Sequence, residues 1–367
     1  MKYLLIGFLT CCFPISTHAQ ELKPGFDPDE YLEVLALNFG KYDSIMKAQG
    51  KPVRYQRTYA SAVTGLDNRF WVWQRTDAPV AVIGLRGTVA TRKSWIANIY
   101  SVQHPATGKL QLNDSTSVAY QLAAAEGAAV HTGWLIGLAS MAASVEARIR
   151  DLHAKGTRQL VISGHSQGGA LAYLLRSWLH YRMATGALPA DLVFKTYCSA
   201  APKPGNMAYA YDFDFITRGG WAFNVVNAAD WVPETPVSLQ QLSDLNPLNP
   251  LVRLEDALRG QKWPVRLYAG MGYGKLTRKS RKAVRKYQKY LGVKVGREAA
   301  KSLPGLAPGP GAPGFNYMRA GNPVVLMPDT TYFNRFPNDP KEGLGVWTHH
   351  SFEAYHYLLR KDYLLRR

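Results

Sequence analysis

The feature that most constrains the fold is the stretch VISGHSQGGALAYLL, residues 161–175, in which Gly164, Gly168 and Gly169 crowd around Ser166 between two apolar runs. Glycine weakens both strands and helices by about 0.5–1 kcal/mol, so three of them together mark a place where side chains do not fit. Before them QLVISG reads as a strand buried on both faces. After them SQGGALAYLLRSWLHYRMATG reads as a helix. A chain that turns this sharply from buried strand to helix places the serine at the strand's carboxyl end, beside the free N–H groups of a helix N-terminus.

The rest of the chain repeats the same grammar. Residues 28–48 have the apolar spacing of one helix, and YQRTYASAV and RFWVWQR read as strands. PVAVIGLRG and LVFKTYCSAAP are short apolar strands, and a long helix-forming segment, GAAVHTGWLIGLASMAASVEARIRDLHAKG, lies between them and closes at Gly156. GWAFNVVNAADWVP is a further strand leading into a loop. Alternating buried strands and amphipathic helices predict an α/β fold with a mainly parallel central sheet flanked by helices. The pattern fails over 237–313, which reads as an insertion before the last strands. It ends in LPGLAPGPGAPG, too rich in Pro and Gly for regular structure and expected to be a flexible connection.

The amino terminus, MKYLLIGFLTCCFPISTHAQ, has a basic start, a short apolar run and small residues at Thr17 and Ala19. It reads as a signal peptide, residues 1–19, cleaved after Ala19, followed by a single domain over 20–367. The run is shorter than the roughly 20 residues a membrane-spanning helix needs. This predicts a secreted or periplasmic protein. Cleavage leaves Cys198 as the one cysteine, which excludes an internal disulfide and makes it a small buried apolar side chain. No histidine spacing or Cys cluster fits a metal site, and no cofactor motif is present, so neither a metal nor a cofactor is expected. Nothing in the pattern specifies an oligomeric state.

A serine held on such a turn becomes a nucleophile when a base and an acid follow it in the chain. For the acid, NVVNAADWVPETP places Asp230 just after a buried strand, where ligand sites of parallel sheets form. Asp212 and Asp214 in AYDFDF compete, without an apolar strand before them. For the base, THHSFEAYHYLL offers His349, His350 and His356. The first two precede a helix and the third lies within it.

Taken in order, the segments VIGLRGTVATRKSW, VHTGWLIGLASM, VISGHSQGGALA, TYCSAAPKPGN, VVNAADWVPETP and HHSFEAY resemble the class 3 lipases, the family of the fungal triacylglycerol lipases, in the α/β-hydrolase superfamily. The resemblance covers most of 70–236 and 315–360. It implies Ser166 as nucleophile, with Gly164 and Gly168 as the elbow glycines, and Asp230 as acid. It implies His350 as base, because Tyr355 follows five residues later. Thr88 and Gln167 are implied as the backbone donors of an oxyanion hole. Gln167 stands where leucine is usual, Cys198-Ser199 replaces Phe-Gly, and Lys203 replaces arginine. The implied activity is hydrolysis of acylglycerol or phospholipid esters through an acyl-enzyme. An esterase for soluble or polysaccharide-linked esters and a catalytically idle relative that binds anionic surfaces are the alternatives. In the family the region of Trp95, Ile96, Ile99 and Tyr100 forms a lid, although a helix packed permanently on the core accounts for the same residues.

The insertion concentrates charge. Residues 274–301 carry eleven Lys/Arg and one acid, Glu298, within a chain whose formal net charge is +18. A helix there puts Leu276, Ala283, Val284, Tyr287 and Leu291 on one face. Such a basic amphipathic helix suits an anionic membrane surface, and a solvated helix packed by its stripe fits equally. Nucleic acid is not expected as a partner, since no recognition motif accompanies the charge.

Overall fold

The computed structural model describes residues 21–338 and 345–365. The expected signal peptide and its cleavage site lie outside the described residues. A seven-stranded sheet runs in chain order across the molecule: β1 (Tyr55–Ala60), β2 (Phe70–Arg75), β3 (Val80–Leu85), β4 (Gln159–His165), β5 (Val193–Ser199), β6 (Ala222–Asn227) and β7 (Asn322–Leu326). The β1–β2 and β2–β3 pairs are antiparallel; every pair from β3 to β7 is parallel. The mainly parallel α/β sheet flanked by helices, expected from the sequence, is the one that forms.

Alternation along the strands divides the core in two. Ala81, Ile83, Leu160, Ile162, Phe194 and Cys198 point to one face. There they meet α4 (Thr132–Ala154) and α5 (Gln167–Ala184), with α6 (Met207–Ile216) beside them. Val80, Val82, Val161, Tyr197, Val225 and Val324 point to the other face, covered by α1 (Pro28–Asn38) and by α9 (Phe352–Leu359) near the carboxyl end. Strands sandwiched this way must be apolar on both sides, which is why they read as continuous runs rather than alternating ones.

Two sequence expectations change. The single helix over 28–48 is two, α1 and α2 (Tyr42–Ala48), because Gly40 adopts a left-handed conformation (φ +64°) and turns the chain between them. The Pro/Gly-rich connection is tied down rather than loose. Ala307 N–H donates to Gln111 O (3.0 Å), Ala312 N–H donates to Gln103 O (2.7 Å), and Leu306 is buried. Proline lacks an N–H, and here alanines between the prolines supply the donors that the edge carbonyls need.

The connection from β6 to β7 contains a long helical run: α7 (Trp263–Tyr287), a wide π-type turn over Gln288–Lys294, and α8 (Val295–Ser302). It begins eleven residues before the basic segment proposed from sequence. Val284, Tyr287 and Leu291 pack on Phe315, Tyr317 and Leu239, so the apolar stripe is occupied by protein. The side chain of Leu276 lies outside what is described. No helix among the described residues is long and apolar enough to cross a membrane.

Candidate active site

Ser166 sits between β4 and α5 with φ 60° and ψ −128°, a backbone conformation that side-chain-bearing residues rarely adopt. Three packing contacts hold it there. A Cβ on Gly164 would lie 2.2 Å from the Gly168 carbonyl, one on Gly168 would lie 2.2 Å from the Leu85 carbonyl oxygen, and one on Gly169 would lie 2.8 Å from Ser199 O. All of these neighbours are backbone atoms that cannot swing away. The glycine crowding is therefore the condition for α5 to pack down on β3, β4 and β5 while Ser166 is lifted out at the sheet's carboxyl edge.

Ser166 borders a cavity of about 670 Å³ together with Thr88, Gln167 and His350. Asp230 follows β6 and is buried beneath His350. His350 Nδ1 donates to Asp230 Oδ2 (2.7 Å), the Tyr355 hydroxyl donates to the same oxygen (2.8 Å), and Val232 N–H donates to Oδ1 (3.0 Å). Three donors converge on one buried carboxylate, which satisfies the charge and fixes its orientation. Burial, and the Asp230 charge beside it, push the Tyr355 phenol well above its ordinary range, so it stays a donor.

Asn227 at the end of β6 sets the neighbouring loops. Its side-chain amide donates to the His349 carbonyl (2.9 Å) and to the Tyr332 hydroxyl (2.8 Å), and its carbonyl accepts from Asp230 N–H (2.9 Å). His349 Nδ1 is hydrogen-bonded to the Tyr332 hydroxyl at 2.7 Å, and burial lowers its basicity. Two adjacent histidines thus take separate roles: His349 faces the Tyr332 side, and His350 faces Asp230 and the cavity. His356 stacks on Phe352 within α9 and does not border the cavity. Asp212 accepts from Ala124 N–H, Ala125 N–H and the Tyr181 hydroxyl, and Asp214 accepts from Gly321 N–H; neither borders the cavity.

Two residues at the site went unnoticed in the sequence. Asn98, on α3 (Arg92–Ile99), donates from Nδ2 to Thr88 Oγ1 (2.9 Å), while its Oδ1 accepts from Gln167 Nε2 (2.9 Å) and Trp134 Nε1 (3.2 Å). It ties the loop after β3 to the residue following Ser166. Gln167 also donates to Ser94 O (3.2 Å), so the glutamine that departs from the usual leucine anchors α3 by its side chain. Ser94, Ile96 and Ala97 of α3 are buried, whereas Trp95 and Ile99 are half-exposed at the cavity. The second missed residue is His165. Its Nε2 donates to the His350 carbonyl (3.0 Å) and its Nδ1 is bonded to Ser199 Oγ (3.0 Å). No spacing rule singles out an asparagine ten residues after Thr88; only its partners reveal it.

Cys198 is buried and free, and burial pushes its thiol well above the usual range, away from nucleophilic chemistry. Among the described residues no group of three His, Cys, Asp or Glu is arranged to hold a metal ion.

Residues 82–240 match the family model described as lipase (class 3). Among curated relatives, a secreted mono- and diacylglycerol lipase of Malassezia restricta is 34% identical over 76 residues, 21% of this chain and 23% of that one. A secreted mono- and diacylglycerol lipase of Fusarium solani is 32% identical over 112 residues, 30% of each chain. The chain thus spans between 23% and 30% of the length of these relatives. Among solved structures, the native Rhizomucor miehei lipase propeptide complex aligns with a TM-score of 0.41 and 20% identity, over 58% of this chain and 65% of that one.

Proposed function

We propose, from the match of residues 82–240 to the class 3 lipase family model, that the chain is a secreted serine hydrolase of carboxylic esters, a lipase acting on acylglycerol or phospholipid esters. The observation that carries the reading is the His350–Asp230 hydrogen bond of 2.7 Å beside a strained Ser166 in one shared cavity. With Nδ1 committed to Asp230, the His350 ring presents Nε2 as the basic nitrogen. That nitrogen takes the Ser166 Oγ proton as the oxygen attacks the ester carbonyl, then returns it to the departing alcohol. Asp230 holds the productive tautomer and stabilises the imidazolium. The tetrahedral oxyanion is held by the backbone N–H groups of Thr88 and Gln167, each worth about 2.7–4 kcal/mol in comparable sites. The Thr88 hydroxyl accepts from Asn98 and so keeps its own proton for a further bond to that oxygen. Water then cleaves the acyl-enzyme by the same proton route in reverse.

An ester with an apolar acyl chain fits the cavity, whose rim includes Trp95, Ile99, Trp231 and Trp347. Residues 1–19 are proposed as the cleaved leader, and 20–367 as one domain with an insertion over 237–313. The basic segment 274–301 is proposed to hold the enzyme at an anionic lipid surface. The test is hydrolysis of p-nitrophenyl esters of graded chain length by the wild type and by Ser166→Ala. Turnover lost in a folded Ser166→Ala protein is the expected result; full turnover in that variant would overturn the reading.

A further inference from the structure

Between Asp256 and Glu298 the chain has no acidic residue and thirteen Lys/Arg. Helix α7 uses one side of itself to hold on to the protein: Thr277 and Val284 are buried, and Tyr273, Ser280 and Tyr287 are half-buried, a spacing of three and four residues. The side opposite is turned outward, and it changes character along its length. In the second half it carries Arg278, Arg281, Lys282, Arg285 and Lys286, all exposed. The first half is exposed all round, Val265 and Arg266 included, and the continuation of the same side at 3.6 residues per turn carries Trp263, Leu267, Tyr268 and Met271. Trp263 is 74% exposed and Tyr268 81%. Large apolar side chains left so far in water, in line with a row of cations, are not explained by packing on this domain.

We infer that the outward side of α7 is a two-part lipid-docking face, in which Trp263, Leu267, Tyr268 and Met271 enter the acyl boundary of a membrane or lipid droplet while the basic row lies against anionic headgroups. This deepens the lipid-surface reading above and rests on it. The apolar half distinguishes the occupant: a nucleic acid satisfies the cations and leaves the four apolar side chains in water, and a second copy of the chain brings cation against cation. A lipid surface with anionic headgroups meets both halves at once. The helical run also ends against α3. Glu298 of α8 pairs with Arg92 of α3, and the Tyr100 ring packs against Gly296. A surface gripped by α7 is therefore linked through one helical run to the element that carries Trp95 and Ile99.

The experiment uses the full secreted chain, with sucrose-loaded vesicles made of phosphatidylcholine alone or mixed equally with phosphatidylglycerol, sedimented at low and high salt. Two variants are compared with the wild type. One replaces Trp263, Leu267, Tyr268 and Met271 with glutamine, a good helix former. The other replaces Arg278, Arg281, Lys282, Arg285 and Lys286 with glutamine. The apolar variant is expected to bind mixed vesicles at low salt and to lose about tenfold or more of the wild-type affinity at high salt, where apolar burial is what remains. The basic variant is expected to lose the salt-sensitive part. Equal vesicle affinity of the apolar variant and the wild type at both salts overturns the inference. So does DNA binding without vesicle binding, or a wild-type dimer that the apolar variant dissolves while vesicle binding persists. Turnover of p-nitrophenyl butyrate is followed throughout. If the wild type binds vesicles and leaves that ester intact, the hydrolase reading fails and the docking face stands; if it hydrolyses the ester and ignores vesicles, the reverse holds.

Discussion

The imidazole of His165 lies 4.6 Å from that of His350, centroid to centroid, and its Nε2 donates to the His350 backbone carbonyl at 3.0 Å. A carbonyl only accepts, so the His165 proton is on Nε2 and its Nδ1 must accept. The Ser199 hydroxyl therefore donates to Nδ1, and the Tyr31 hydroxyl in turn donates to Ser199 Oγ at 2.7 Å. A chain of three bonds thus runs from α1 through the end of β5 to the backbone of the proposed base. Burial, and the His350 ring beside it, hold His165 well below the ordinary histidine range, which keeps it neutral and the chain in one direction.

His165 is accordingly a positioning residue. His165→Ala is expected to lower kcat about tenfold on a soluble ester while leaving KM within about twofold, since the bond it removes orients the base and does not touch substrate. Tyr31→Phe, which leaves the ring packed and removes only the last donor, is expected to have a smaller effect in the same direction. A raised KM with unchanged kcat in His165→Ala would show that the loss acts through cavity shape instead.

The two adjacent histidines separate cleanly by partner. His350→Ala is expected to lose about three or more orders of magnitude in turnover, the scale of removing a triad base. His349→Ala removes a side-chain bond to Tyr332 but leaves the His349 carbonyl on Asn227, so it is expected to cost about 1–3 kcal/mol of stability and little turnover. Urea denaturation together with kcat measures both. The opposite ordering of the turnover losses moves the base by one residue.

Buried neutral histidines make the fold sensitive to acid. His131 stacks on Trp134 with ring centroids 3.7 Å apart, and burial lowers its pKa from 6.5 to about 3. The unfolded chain takes up that proton first, so the contribution of His131 is complete above about pH 6.5 and declines as pH falls toward 3. Near pH 5 the loss from this one group is about 2 kcal/mol. The midpoint of urea unfolding should drop between neutral pH and pH ~5, and His131→Phe, which keeps the stack, should flatten that decline. An unchanged slope in the variant assigns the acid sensitivity to other groups.

What local pattern alone determined was the sheet, the elbow and the candidates. Continuous apolar runs at Val80–Leu85, Gln159–His165 and Val193–Ser199 already carry the two-faced burial of a parallel sheet, because such strands have no solvent side to encode. The Gly164–Gly169 cluster carries the turn, because backbone-to-backbone approach excludes every side chain at once. Tertiary structure decided everything that depends on which distant atoms meet. His349 and His350 are the same residue type one position apart, and only Asn227, Tyr332 and Asp230, brought from β6 and its neighbours, send one ring away from the cavity and the other toward it. Asn98 and His165 carry no periodic or spacing signal, since a hydrogen-bond partner more than thirty residues away leaves no mark on local sequence. The basic helix shows the same limit from the other side. Its apolar stripe and its cations are legible at 3.6-residue spacing, but that Phe315 and Tyr317 cover the stripe at Val284 and Tyr287, while no neighbour among the described residues covers Trp263, Leu267, Tyr268 and Met271, follows only from the tertiary structure.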